Sequence, residues 1–143
     1  MTVKLERHER AALRRQGITA ASLHEHNPTV LSQTCDLPLE RCEYLVAMAE
    51  FQTLVSVGPA AAQDLWDLGC RSLGHLSQQN PVAMYDRLVA KAGGRLDPCV
   101  EDVFRCAIAQ VLDPELPASL REWWNWKDQR GQPMGIPASR PHG

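Results

Sequence analysis

One pattern is spelled twice in this chain, and it limits the fold more than any other feature. Residues 13–28, LRRQGITAASLHEHNP, line up with residues 65–81, LWDLGCRSLGHLSQQNP, once one residue is inserted. Leu13 matches Leu65, Gly17 matches Gly69, Leu23 matches Leu76, and Asn27-Pro28 matches Asn80-Pro81. Each copy reads as a helix end, a glycine stop, a short helix, and an asparagine cap before a helix that opens on proline. The residue types fit these roles. Glycine enters the left-handed region cheaply and so ends helices. An asparagine side chain accepts an amide that the first turn leaves unpaired, and proline at the first helical position has no N–H to leave unpaired. A repeat period of about 50 residues predicts two copies of one small helical unit packed together.

The rest of the chain carries similar signals. Asp97-Pro98 is a third cap, and Gly93-Gly94 a further stop. Val100, Val103, Phe104, Ala107, Ile108 and Val111 recur at helical spacing and predict a long core helix at 98–112. Cys42, Leu45, Val46 and Ala49 form a second stripe, and Tyr85, Leu88, Val89 and Ala92 a third. Alternating β-branched runs are missing, so no strand is expected. The expected fold is all-α: tandem units in one compact helical domain. The first unit spans 1–52, and the second spans 53–126 and closes with a tryptophan-rich helix. Residues 127–143 are rich in proline and glycine without periodicity, which predicts a disordered tail.

Composition narrows the function. No run of 18 apolar residues exists, and charges are scattered through the first 17 residues without an apolar stretch. A cytoplasmic protein with no membrane partner is expected. The five cysteines are odd in number and include no CxxC pair, so they read as small buried apolar residues. Residues 1–15 carry a net charge of +3 and residues 127–143 a net +2, around a middle of −7. A strong free-standing nucleic-acid binder needs a basic face instead. No P-loop, nucleophile elbow, dinucleotide fingerprint or HExxH is present, so neither an enzyme nor a cofactor is expected. His24, His26, His75 and Cys35 lack metal-ligand spacing. Cys99, near a helix start where a thiol pKa can fall, is the one weak nucleophile candidate.

The stretch LVSVGPAAAQDLWDLGC, residues 54–70, is a tight hinge between two helices. Gly58 offers backbone freedom, Pro59 presets the next helix, and Ala60, Ala61 and Ala62 keep that helix thin enough for close packing. Amides at such a helix start, with the dipole behind them, favour an anion. LVSVGPAAAQDLWDLG followed by LGHLSQQNP resembles the helix-hairpin-helix motif. With MYDRL, DPCVEDVFRCA and WWNWKD, residues 10–128 resemble small bacterial pathogenicity-locus or mitomycin-resistance proteins. The C-terminal domain of the competence regulator TfoX is similar. Residues 13–52 resemble a degenerate first copy, with TCDLPLE as its hinge.

The resemblance implies a non-catalytic module. Its hairpin amides at Ser56, Val57, Gly58 and Ala60 would hold a DNA phosphate without reading sequence. Such a module would serve as an accessory factor in DNA metabolism or competence. Ser56 stands where the motif's first glycine belongs, and no Lys or Arg lies between Arg41 and Arg71. A packing hairpin in a protein-interaction module therefore stands beside the DNA reading. Two further surfaces carry paired readings. Arg7, Arg10 and Arg14 share one side of a helix and form either a solvated face or a nucleic-acid contact, and as a DNA contact this helix ranks ahead of the acidic hairpin region. REWWNWKD is either a lid, with Leu116, Leu120 and Trp123 or Trp124 facing the core, or a base-stacking platform with Arg121 and Lys127 for phosphates.

Overall fold

The computed structural model describes residues 2–134, which form seven α-helices, three 3₁₀ segments and no strand. The first run of elements is α1 (Arg7–Arg15), a 3₁₀ segment (Ala20–Glu25), α2 (Pro28–Cys35) and α3 (Leu39–Phe51). The second is α4 (Pro59–Asp67), α5 (Leu73–Ser77), α6 (Pro81–Lys91) and α7 (Cys99–Leu112). Two further 3₁₀ segments, Ala118–Arg121 and Trp123–Gln129, close the described chain.

The paired sequence positions adopt the same local geometry in both runs. Gly17 ends α1 at φ 68°, and Gly69 follows α4 at φ 93°. The Gly17 amide donates to Arg14 O at 3.0 Å and the Ile18 amide to Leu13 O at 2.9 Å. The Gly69 amide donates to Trp66 O at 2.9 Å and the Cys70 amide to Leu65 O at 3.0 Å. Asn27 Oδ1 accepts from Thr29 N and Val30 N, and Asn80 Oδ1 accepts from Val82 N and Ala83 N. Leu23 and Leu76 are both fully buried. The last helix of each run packs on the two elements before it: α3 on the first 3₁₀ segment and α2, α7 on α5 and α6.

This register corrects one expectation. TCDLPLE, with Asp36 at φ 52°, joins α2 to α3 and so corresponds to the α6–α7 connection. The counterpart of the 54–58 hairpin is the segment before α1. At the third expected cap, Asp97 Oδ1 accepts the Cys99 amide at 2.9 Å, but Pro98 takes the cap position and α7 starts one residue later than expected.

Three apolar clusters hold the elements together. Leu13, Leu23, Leu31, Cys42 and Ala49 centre the first run, and Phe51, Leu65, Leu76, Met84, Phe104 and Ile108 the second. Cys106, Leu116, Leu120 and Trp126 seat the closing segment on α7. Four of the five cysteines are buried and the fifth, Cys99, is half-buried.

The closing segment differs from the expected helix. It is 3₁₀, where residues three apart eclipse one another. Trp123 and Trp126 therefore share the inner face: Trp126 is buried, its indole N–H donating to Leu120 O at 2.7 Å, and Trp123 packs half-buried against the same cluster, while Trp124 is exposed. The first residues of the expected tail are anchored to α7. Arg130 pairs with the buried Asp102 through two bonds, at 2.9 and 2.5 Å. The Gly131 amide donates to Glu101, and Arg105, itself bonded to Glu101, donates to Gln132 O. Proline and glycine content reports poor helix formation, but these anchors are single charged bonds that leave no periodic trace. The expectation for residues 135–143 lies outside the described residues.

Candidate functional site

The hairpin between α3 and α4 is held from behind. The Gln110 side chain of α7 accepts the Val55 amide at 2.9 Å and donates to the Val55 carbonyl at 2.8 Å. The Val57 amide closes a turn onto Leu54 O, and the Val57 side chain is buried. Ser56 sits at φ 72°, in the left-handed region that costs a non-glycine residue about 1–2 kcal/mol. Its hydroxyl donates to Arg121 O at 2.8 Å and accepts the Trp123 amide at 3.2 Å. These two bonds offset the strain and tie the hairpin to the tryptophan segment. The freedom expected at Gly58 therefore belongs to Ser56. Gly58 has an extended backbone, φ −94° and ψ −171°, open to any residue, and a Cβ there would meet nothing within 4 Å.

The result is a rigid loop with a bare outer rim. Gly58, Pro59 and Ala60 are exposed, and no side chain caps the start of α4. With the helix dipole behind them, its first amides present partial positive charge to solvent. On the second turn, burial and the neighbouring Asp67 push the Asp64 carboxyl above the ordinary aspartate range. Asp67 accepts from Gln63.

The start of α1 is finished differently. The Glu6 amide donates to Glu9 Oε1 at 2.8 Å. Glu9 is 2% exposed and takes two bonds from Arg41, at 2.6 and 3.0 Å. Arg41 also donates to Lys4 O. This charge-assisted pair holds the Glu9 carboxyl below the usual carboxylate range. No anion is needed there, because the chain supplies its own.

The other sequence candidates fall in separate places. Arg7, Arg10 and Arg14 are exposed on α1, which packs into the first cluster, whereas the hairpin packs against α7 and the tryptophan segment. Arg121 spends its guanidinium on Leu116 O and Pro114 O. Trp124 is 52% exposed and meets Trp123 edge to face at 5.7 Å, next to the Trp123 amide that donates to the Ser56 hydroxyl. Lys127 is exposed. The Cys99 thiol departs from its expected direction: burial first, then the bond to Asp97, pushes it up. His75 Nδ1 accepts the Arg71 amide. Among the described residues no three His, Cys, Asp or Glu side chains converge on a metal position. No described helix is long and apolar enough to cross a membrane.

Sequence reasoning missed Gln110 and the Glu9–Arg41 pair. Gln110 had a signal: it is the polar residue in the apolar second half of α7, residues 106–112, and it is 5% exposed. The pair bridges 32 positions and had none.

Comparison with known proteins agrees with the resemblance to pathogenicity-locus proteins. The mitomycin resistance protein McrB of Streptomyces lavendulae is 35% identical over 82 residues, covering 57% of this chain and 74% of that protein. No solved structure matches the chain significantly. The model of the pathogenicity-locus family matches residues 45–132, from the middle of α3 through the closing tryptophan segment. The chain belongs to the pathogenicity-locus family.

Proposed function

We propose that this chain is a non-catalytic nucleic-acid-binding module made of two helix-hairpin-helix-like units, of which the second binds. Its hairpin holds a phosphate of a DNA backbone at the bare start of α4, without reading sequence. The module acts as an accessory factor in DNA metabolism or competence. A role in mitomycin resistance, which the relative's name states for that protein, joins the same proposal.

One observation carries this reading. The start of α1 is filled by the chain's own Glu9, while the start of α4 is uncapped and yet held rigid by Gln110 and Ser56. A rigid, vacant helix start suits an anion that recurs along a polymer, because little further ordering is needed on binding. The absence of a neighbouring cation between Arg41 and Arg71 keeps the expected affinity weak, in the range of about 10⁻⁴–10⁻⁶ M for non-specific contacts.

A second reading, a protein-interaction module that keeps the fold without DNA contacts, is favoured by Asp64 and Asp67 beside the hairpin. Fluorescence anisotropy with labelled single- and double-stranded DNA at two salt concentrations separates the two. The DNA reading expects binding that weakens with salt and is lost in Gly58→Val, whose side chain covers the rim without straining the backbone. No binding at low salt overturns it and leaves the protein-interaction reading.

A further inference from the structure

The two runs differ in what covers the face of their first helix. In the second run, α3 covers α4. Ala62 is fully buried, Trp66 meets Tyr44 edge to face at 5.2 Å, and the Tyr44 hydroxyl bonds Gln63. In the register set by Leu13/Leu65 and Gly17/Gly69, Arg10 occupies the position of Ala62 and Arg14 that of Trp66. Both arginines are exposed. Between them lies an open groove of about 400 Å³, with Leu5, Leu13 and Ile18 in its lining. In the second run, the last helix, α7, is covered by the closing 3₁₀ segments. The last helix of the second run is therefore covered from within the described chain, whereas the first helix of the first run borders this groove.

We propose that the α1 groove is a docking site for an acidic amphipathic helix of a partner protein. The chemistry is read from the internal pairing and from charge. The helix that covers the equivalent face of α4 is α3, and Glu40 and Glu43 of α3 line a cleft with Trp66 and with Arg71, whose guanidinium lies over the Trp66 ring. Transferred to α1, the same arrangement sets carboxylates against Arg14 and apolar residues against Leu5, Leu13 and Ile18. The acidic residue within α1, Glu9, is committed to Arg41, so it does not neutralise Arg10 or Arg14. A second copy of this chain is a poor occupant, because its α3 is packed in its own core and its α7 lies under the closing segment. This inference is independent of the hairpin and of the DNA reading.

The test uses the full chain and a fluorescein-labelled, helix-stapled peptide with the sequence of residues 38–52. Saturable binding is expected. It should weaken about tenfold or more in the Arg10→Glu/Arg14→Glu double variant and in a peptide with Glu40→Gln and Glu43→Gln, as for loss of paired interface charges. Gly58→Val should leave it unchanged. Failure of the stapled peptide to bind, or binding indifferent to both charge changes, overturns the proposal and makes the arginines a solvated face of α1. Two other results overturn it as well. One is DNA binding that is lost in the Arg10/Arg14 variant while Gly58→Val retains it. The other is self-association of the full chain, in sedimentation, that the same double variant abolishes.

Discussion

The starts of α1 and α4 are the two regions whose comparison is most instructive. Both helices run nine residues, and both end on a leucine-glycine pattern with matching hydrogen bonds. At the start of α1 a buried glutamate accepts the Glu6 amide and is itself held by Arg41. At the start of α4 the chain offers glycine, proline and alanine, all exposed. A helix start must have its amides satisfied by a side chain, by water or by a ligand. The first is closed to visitors by an ion pair, and the second is stiffened from beneath and left open. Two helices with matching ends therefore need not have matching starts. The residues behind a helix start decide whether it is a structural element or a surface for something else.

The largest test of this contrast removes the plug. Glu9→Ala leaves Arg41 half-buried without its partner and uncaps Glu6, which should cost about 3 kcal/mol, the range for breaking a buried charge pair. Urea denaturation measures it, and a loss below about 0.5 kcal/mol, the size of a neutral surface change, would show that the plug is ornamental. The same carboxylate predicts an acid limb. Its pKa is lowered on folding, chiefly by the Arg41 bond. Its stabilisation is therefore complete above the ordinary glutamate pKa of about 4.3 and is lost as pH falls through the folded value. Glu9→Gln should flatten that limb of the stability–pH curve.

Next in size is the clamp beneath the open start. Gln110→Leu strands the Val55 N–H and C=O, both bonded to Gln110. About 2 kcal/mol should be lost, as for unsatisfied part-buried groups. Amide exchange should quicken at Val55 and Val57 more than at Ile18 or Gly17, which the first run holds by its own bonds. Equal quickening in both runs would mean that Gln110 supports the whole domain rather than the hairpin.

Much of this scaffold was legible before any coordinates. Asn-Pro twice, and glycine at the same offset before each, were enough to place two helix starts and two stops, because these residues act through their immediate neighbours. The family resemblance rested on the same stretches. What stayed hidden was long-range or two-sided. The Glu9–Arg41 and Asp102–Arg130 pairs join residues that no local rule connects. The hinge showed where the chain turns but not which residue bends. Gly58 was the natural choice, and Ser56 takes the left-handed conformation because its hydroxyl finds two backbone partners in the tryptophan segment. Trp126 as the buried tryptophan was hidden too, because the segment winds as 3₁₀ and not as the expected helix.

A smaller effect separates strain from bonding at Ser56. Ser56→Gly relieves the positive φ and loses the hydroxyl bonds, whereas Ser56→Ala loses the bonds and keeps the strain. The glycine variant should be the more stable of the two by about 1 kcal/mol. Thermal denaturation of the pair decides it. Equal stabilities would mean that the hairpin rearranges once the hydroxyl is gone, and the rigidity assigned to it would fail.

The smallest stability effect is expected at Gly58, and that smallness gives it its value. Alanine there meets nothing within 4 Å and suits the extended backbone. Its lower unfolded-state entropy favours folding by about 0.4–1 kcal/mol. Against that, alanine is a poorer helix start than glycine by a similar amount. The two nearly cancel, so Gly58→Ala should melt within about 0.5 kcal/mol of the parent. On α1 the same position is Glu6, already occupied by a side chain and already closed. If α4 differs because its start is meant for an outside anion, the added methyl group should weaken DNA binding while stability stays level. If affinity and stability both stay level, glycine at 58 has no role that alanine cannot fill, and the contrast between the two helix starts carries no functional meaning.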